Sequence, residues 1–195
     1  MRKFNLAGVI LLLSFSQFSL ASTPTETLKI AVDKLISVAA DSASDDKLKK
    51  QMLTEIISQE VNFEAVSKRV VSKPWRKATD QQKAEFKQNF KQVMVDTYFV
   101  LLKKFTNEKV IFTKEQLKKK KYAIVDTQII SDNKKIPVRY RMIKTDGVWK
   151  IYDFIPEGIS LLSTYKGNYA TVLKKKGMQG LLEEMNSTTS KENKE

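Results

Sequence analysis

The apolar residues of this chain change their spacing twice along its length, and that change decides which folds are open to it. From Leu28 to Phe105 they recur every three or four residues. From Tyr122 to Phe154 they alternate with polar ones, and from Ile159 onward the wider spacing returns. Spacing of three to four gives one stripe on a helix, and alternation gives one face of a strand. Helices, then strands, then helices predict an α+β fold with helices packed on an antiparallel sheet.

Local signals set the boundaries. Thr23-Pro24-Thr25-Glu26 is a capping box with proline at the first helical position. Leu28, Val32, Leu35 and Ile36 follow on one stripe, and the polar stretch Asp41 to Asp46 breaks it. Helical spacing from Leu48 predicts a second segment running to Val71, ended by Pro74. Thr79 to Gln82 is a second capping box, and it opens a long helix carrying Phe86, Phe90, Met94, Tyr98 and Leu101. In Ile136 to Lys144, Ile136, Val138, Tyr140 and Met142 alternate with Pro137, Arg139 and Arg141. Tyr122 to Ile130 reads likewise, with Ala123, Val125 and Ile129 inward, and Val148 to Phe154 is a third strand. A short fourth is expected at Lys109 to Phe112. Turns at Ser131 to Lys134 and Thr145-Asp146-Gly147 join the strands into a meander. A helix resumes after Gly158 with Ile159, Leu162, Tyr165 and Tyr169 on its stripe. It ends at Gly177, and Met178 to Met185 make a last short helix.

The first 21 residues are a separate matter. Arg2 and Lys3 precede an uncharged run from Leu6 to Leu20, and Ser19-Leu20-Ala21 supplies small residues at a peptidase site. This is the layout of a secretory signal peptide, with cleavage expected before Ser22. The run is too short and too diluted by Ser14, Ser16, Gln17 and Ser19 for an anchor of about 20 apolar residues. The expected organisation is residues 1–21 as a signal peptide, 22–185 as one domain, and 186–195 as a polar, disordered tail.

Composition then removes whole classes of chemistry. There is no cysteine and no histidine in 195 residues. An exported domain of this kind has no disulfide, no thiolate nucleophile, no imidazole base and none of the usual zinc ligands. Glycine-rich phosphate loops and nucleophile elbows are missing too. Asp41, Asp45 and Asp46 lack calcium-loop spacing and read as helix caps. Ser131-Asp132-Asn133-Lys134 matches two penicillin-binding strings by accident, overlapping in one hairpin turn. The formal charge of +13 favours an anionic partner. Beyond an inner membrane that means phospholipid head groups or acidic proteins rather than nucleic acid; the alternative is that the Lys-rich faces only keep the protein soluble.

Three stretches carry a resemblance. Trp75-Arg76-Lys77-Ala78-Thr79, with Gln82 and the Phe-rich helix after it, resembles a segment of the MlaC family, also called toluene-tolerance auxiliary proteins. Trp149, Tyr152-Asp153 and Glu157-Gly158-Ile159-Ser160 look like that family's hallmark after the last strand. Lys176-Gly177-Met178-Gln179-Gly180-Leu181 resembles its closing helix–Gly–helix step. The match runs in order from about residue 26 to 185. It implies a curved antiparallel sheet of about four strands wrapped by helices, with an apolar cavity between layers. It also implies a monomeric, non-enzymatic periplasmic carrier of Gram-negative bacteria with no cofactor and a phospholipid as cargo. The implied partners are an outer-membrane lipoprotein–porin complex and an inner-membrane ABC transporter with its lipid-binding ring, and the implied task is outer-membrane lipid asymmetry. The Lys-rich stretch Lys114 to Lys121 is unlike the family.

For such a carrier the expected lipid-binding wall is Val125, Val138, Tyr140 and Met142 of the sheet. It faces Phe90, Met94, Tyr98 and Leu101 of the long helix and Ile159 and Leu162 of the later one. Each of these is also a candidate for ordinary core. Lys118 to Lys121 could meet an anionic membrane, meet an acidic partner, or form a solvated loop. The alternative reading of the whole chain is a periplasmic adaptor that binds no lipid.

Overall fold

Thr23 and Thr79 open two helices in the same way. Each hydroxyl accepts the backbone N–H three residues on, and the side chains of Glu26 and Gln82 accept the threonine N–H in return. These boxes start α1 (Pro24–Ala40) and α4 (Asp80–Leu102). The computed structural model describes residues 22–103, 108–131 and 134–192. Residues 1–21, where a signal peptide is expected, Phe105, and Asp132 and Asn133 of the expected turn lie outside the described residues.

Asp41 shapes the break after α1 by accepting the N–H groups of Ala43 and Ser44. Asp45 then caps α2 (Asp46–Glu60) by accepting the Leu48 N–H at 2.8 Å. The single helix expected up to Val71 is in fact two, because the chain leaves helical geometry before α3 (Phe63–Val71). Val61 forms a parallel bridge with Ile151, and the Asn62 N–H donates to the Ile151 carbonyl at 2.8 Å. Asn62 also caps α3 through the Ala65 N–H. Val61 sits at a helical spacing, so periodicity cannot reveal the break. Satisfying the open edge of a strand outweighs continuing the helix.

That strand belongs to a four-stranded antiparallel meander: β1 (Lys109–Lys118), β2 (Tyr122–Ser131), β3 (Lys134–Thr145) and β4 (Val148–Pro156), in that order across the sheet. β1 is ten residues long, not the four expected. Its register slips between Phe112 and Lys114, which spoils the alternation by which its second half could be read. Lysines and a bulge on this free edge also discourage pairing with another chain. The opposite edge, β4, is covered by the Val61–Asn62 bridge.

One face of the sheet carries Ala123, Val125, Val138, Tyr140, Met142 and Trp149, packed with Leu28 and Val32 of α1. A second core joins α3, α4 and α5 (Leu161–Glu192) around Phe86 and Phe90, which stack at 5.5 Å between ring centroids. α5 is kinked at Gly177, whose φ of 67° and ψ of −162° lie outside helical values. The kink turns Met178, Leu181, Leu182 and Met185 back into the core. α5 is assigned up to Glu192. A Cβ at Gly177 would meet nothing within 4 Å, so the cost of Gly177→Ala is backbone strain alone. It is expected to be about 1–3 kcal/mol, read as a lowered midpoint in a thermal melt.

Candidate functional site

The helical core and the sheet meet along β4. The bulge between Arg141 and Met142 of β3 pairs Met142 with Ile151 and Arg141 with Asp153, leaving Tyr152 extra on β4. Tyr152 and Asp153 therefore turn toward the helices, while Ile151 and Phe154 stay with the sheet core. A small apolar cavity of about 30 Å³ lies there. Its walls include Val61, Val66, Phe90, Met94, Phe154 and Leu162.

Three expected wall residues, Phe90, Met94 and Leu162, line this cavity. Tyr98 and Tyr140 stand beside it through Phe154, whose ring is 5.7 Å from Tyr98 and 5.3 Å from Tyr140. Val125, Val138 and Met142 are buried instead under α1, one layer away. Leu101 is 52% exposed at the end of α4. Ile159 is 66% exposed and precedes α5 rather than riding on it. Helical spacing shows which residues share a face but not what covers that face. Residues not expected from the sequence are Val61, Val66, Ile151, Tyr152, Asp153, Phe154 and Leu161. The sequence signal for them was the Tyr152-Asp153 pair, an aspartate inside an alternating apolar strand.

Asp153 is the polar centre of the site. Its side chain is 0% exposed. It accepts the Ser160 hydroxyl at 2.8 Å, the Leu162 N–H at 3.1 Å and a guanidinium N–H of Arg141 at 3.2 Å. One carboxylate thus satisfies an N-terminal amide of α5 and ties that helix to β4. Outside it, the Arg69 guanidinium lies 4.5 Å from the Tyr152 ring centroid. The phenols of Tyr98, Tyr140 and Tyr169 are pushed well above the ordinary tyrosine range, chiefly by burial. Burial disfavours the phenolate form of all three.

That shift fixes an alkaline limit. A buried phenol holds its proton in the native state above pH 10, while the unfolded chain releases it. The unfolded state then binds fewer protons, so stability is full below about pH 10 and falls as pH rises toward the folded value. Each such phenol contributes a slope of about 1.4 kcal/mol per pH unit in that window. Absorbance at 295 nm is expected to show these tyrosines ionising only together with loss of helical circular dichroism. Ionisation that precedes unfolding would contradict their burial.

Similarity to known proteins bears on this site. Residues 29–187 match the family model described as MlaC protein. The chain belongs to the MlaC family. It is 24% identical over 178 residues to the "Intermembrane phospholipid transport system binding protein MlaC" of Haemophilus influenzae, covering 87% of this chain and 83% of the relative. It is 25% identical over 127 residues to the "Toluene tolerance protein ttg2D" of Pseudomonas putida, covering 64% and 59%. The fold matches that of a phospholipid-binding protein from Ralstonia solanacearum, solved with a phospholipid, at a TM-score of 0.78 and 22% identity, covering 87% of this chain and 98% of that one. The three MlaC-like stretches of the sequence hold the fold rather than face the cavity at most positions. Trp75 packs edge-on against Phe86 at 6.0 Å. Asp153 and Ser160 form the tie to α5, and Gly177 makes its kink. Tyr152 and Asp153, with Phe90 and Met94 of the Phe-rich helix, also reach the cavity wall.

Proposed function

We propose that this chain is an exported, periplasmic phospholipid carrier. It holds acyl chains between the sheet and the helical layer, and passes lipid between an outer-membrane lipoprotein–porin complex and an inner-membrane ABC transporter. The observation that carries the reading is an apolar cavity between β4 and α3, α4 and α5 in a chain of the MlaC family. The names of the relatives, and the phospholipid in the Ralstonia protein, support it.

The chemistry required is binding, not catalysis. Each methylene removed from water contributes about 0.8 kcal/mol, so a two-tailed lipid needs an apolar slot nearly as favourable as the bilayer. Tails need no hydrogen bonds, and aromatic and aliphatic walls suffice. A cavity of about 30 Å³ is room for about two waters, at 10–15 Å³ each. Acyl chains therefore enter only if the helical layer parts from the sheet. The head group stays at the rim, where Arg69 and Arg141 flank Tyr152 and favour a phosphate.

The same narrow cavity is what an adaptor that binds no lipid would show, and a transfer assay separates the two. Donor vesicles with a labelled phospholipid and unlabelled acceptors are mixed with the protein. A carrier accelerates label transfer in proportion to protein concentration, and Arg69→Gln slows it without changing the thermal midpoint by more than a degree or two. An unaltered spontaneous rate would overturn the carrier reading.

A further inference from the structure

We infer that the end of the sheet bearing Lys118–Lys121 docks on the anionic face of a phospholipid bilayer. β1 and β2 are joined there by a 3-10 turn, Lys119–Lys121, with Lys119 at a φ of 47°. All four lysines are exposed, and none forms an ion pair with a described residue. Leu117, immediately before them, is 62% exposed. In a meander the β1–β2 and β3–β4 turns lie at the same end, and the second adds Lys144 and Val148, the latter 49% exposed. The acids near this end are Asp146, Glu115 and Glu26; Glu115 is engaged by the hydroxyl and N–H of Thr25 at 2.6 and 2.9 Å, and Glu26 by the Thr23 N–H at 2.8 Å. The result is a net positive end of the sheet, with one exposed aliphatic side chain beside each turn.

A bilayer fits this surface better than a protein does. Lysine is a compact charge on a flexible stem and lacks the fork with which arginine grips one carboxylate. Isolated lysine–carboxylate pairs at a surface contribute little. A sheet of anionic head groups acts on every lysine within a Debye length, about 8 Å at physiological ionic strength. Leu117 has no role in a purely ionic contact, but it can enter the apolar edge of the head-group layer. The inference stands on this surface and not on what the cavity holds.

The test is co-sedimentation with vesicles of phosphatidylcholine alone and of phosphatidylcholine with a quarter phosphatidylglycerol. Wild type and the variant K118Q/K119Q/K120Q/K121Q are compared in the same processed form. Wild type is expected to bind the anionic vesicles at low salt, to leave the neutral ones unbound, and to be released near 1 M salt. The variant is expected to lose a hundredfold or more in affinity, at roughly fivefold per lysine, with an unchanged thermal midpoint. Leu117→Asn alone should weaken binding several-fold with the same salt dependence. Failure of wild type to bind anionic vesicles overturns the inference. Equal binding of wild type and the lysine variant, or equal binding to neutral vesicles, overturns it as well.

Discussion

Replacing Asp153 by alanine is expected to lower the unfolding free energy by about 3 kcal/mol, among the largest single-site effects in this fold. The carboxylate is fully buried and serves three donors: Ser160, Leu162 and Arg141. Hydrogen bonds to a charged group contribute about 1.5–3 kcal/mol each, and an orphaned buried donor costs about 1–3 kcal/mol. Arg141 is 43% exposed and regains water, so the total is set by the other two bonds at about 1.5 kcal/mol each. For a domain of this size the melting midpoint should fall by about 6–12 °C, at 2–4 °C per kcal/mol. Asp153→Asn keeps an acceptor and should lose less. A midpoint within two degrees of wild type for Asp153→Ala would mean that α5 is held to β4 by packing alone.

Phe90→Ala is the second large effect, and its two readouts move in opposite directions. Phe90 is 1% exposed, stacked on Phe86 and met edge-on by Tyr165 at 4.9 Å. Truncating a buried phenylalanine costs about 3–5 kcal/mol. The lost ring also enlarges the apolar cavity, since Phe90 is one of its walls. A ligand that binds only the folded state adds RT ln(1 + [L]/Kd) to stability. Phospholipid should therefore raise the midpoint of Phe90→Ala by at least as much as that of wild type. A wild-type midpoint raised by phospholipid, with a smaller rise or none in Phe90→Ala, would contradict this expectation.

Much of the architecture was legible because it rests on local rules. The boxes at Thr23 and Thr79 form as their threonine-x-x-Glu/Gln spacing implies. The alternation of Val138, Tyr140 and Met142 gives the buried face of β3, and Gly177 breaks its helix. What was not legible depends on partners distant in the chain. The break at Val61 is set by the open edge of β4, ninety residues away in sequence (Ile151). The second half of β1 is polar because it is a free edge, so it lacks a buried-strand pattern. The residues around the cavity were legible only in part for the same reason. Phe90, Met94 and Leu162 fall on faces that meet β4. Leu101 and Ile159 share helical spacing with them but lie where nothing among the described residues covers them well. The bulge that turns Tyr152 and Asp153 toward the helices has no signature in the spacing of β3 or β4.

The central claim is that the folded chain holds phospholipid, and native mass spectrometry of the purified protein with organic extraction tests it most directly. The expected result is a one-to-one adduct whose extracted mass is that of a two-tailed phospholipid, restored after delipidation by incubation with liposomes. A bare protein mass, with no uptake from liposomes, would contradict it and leave a domain that binds only proteins.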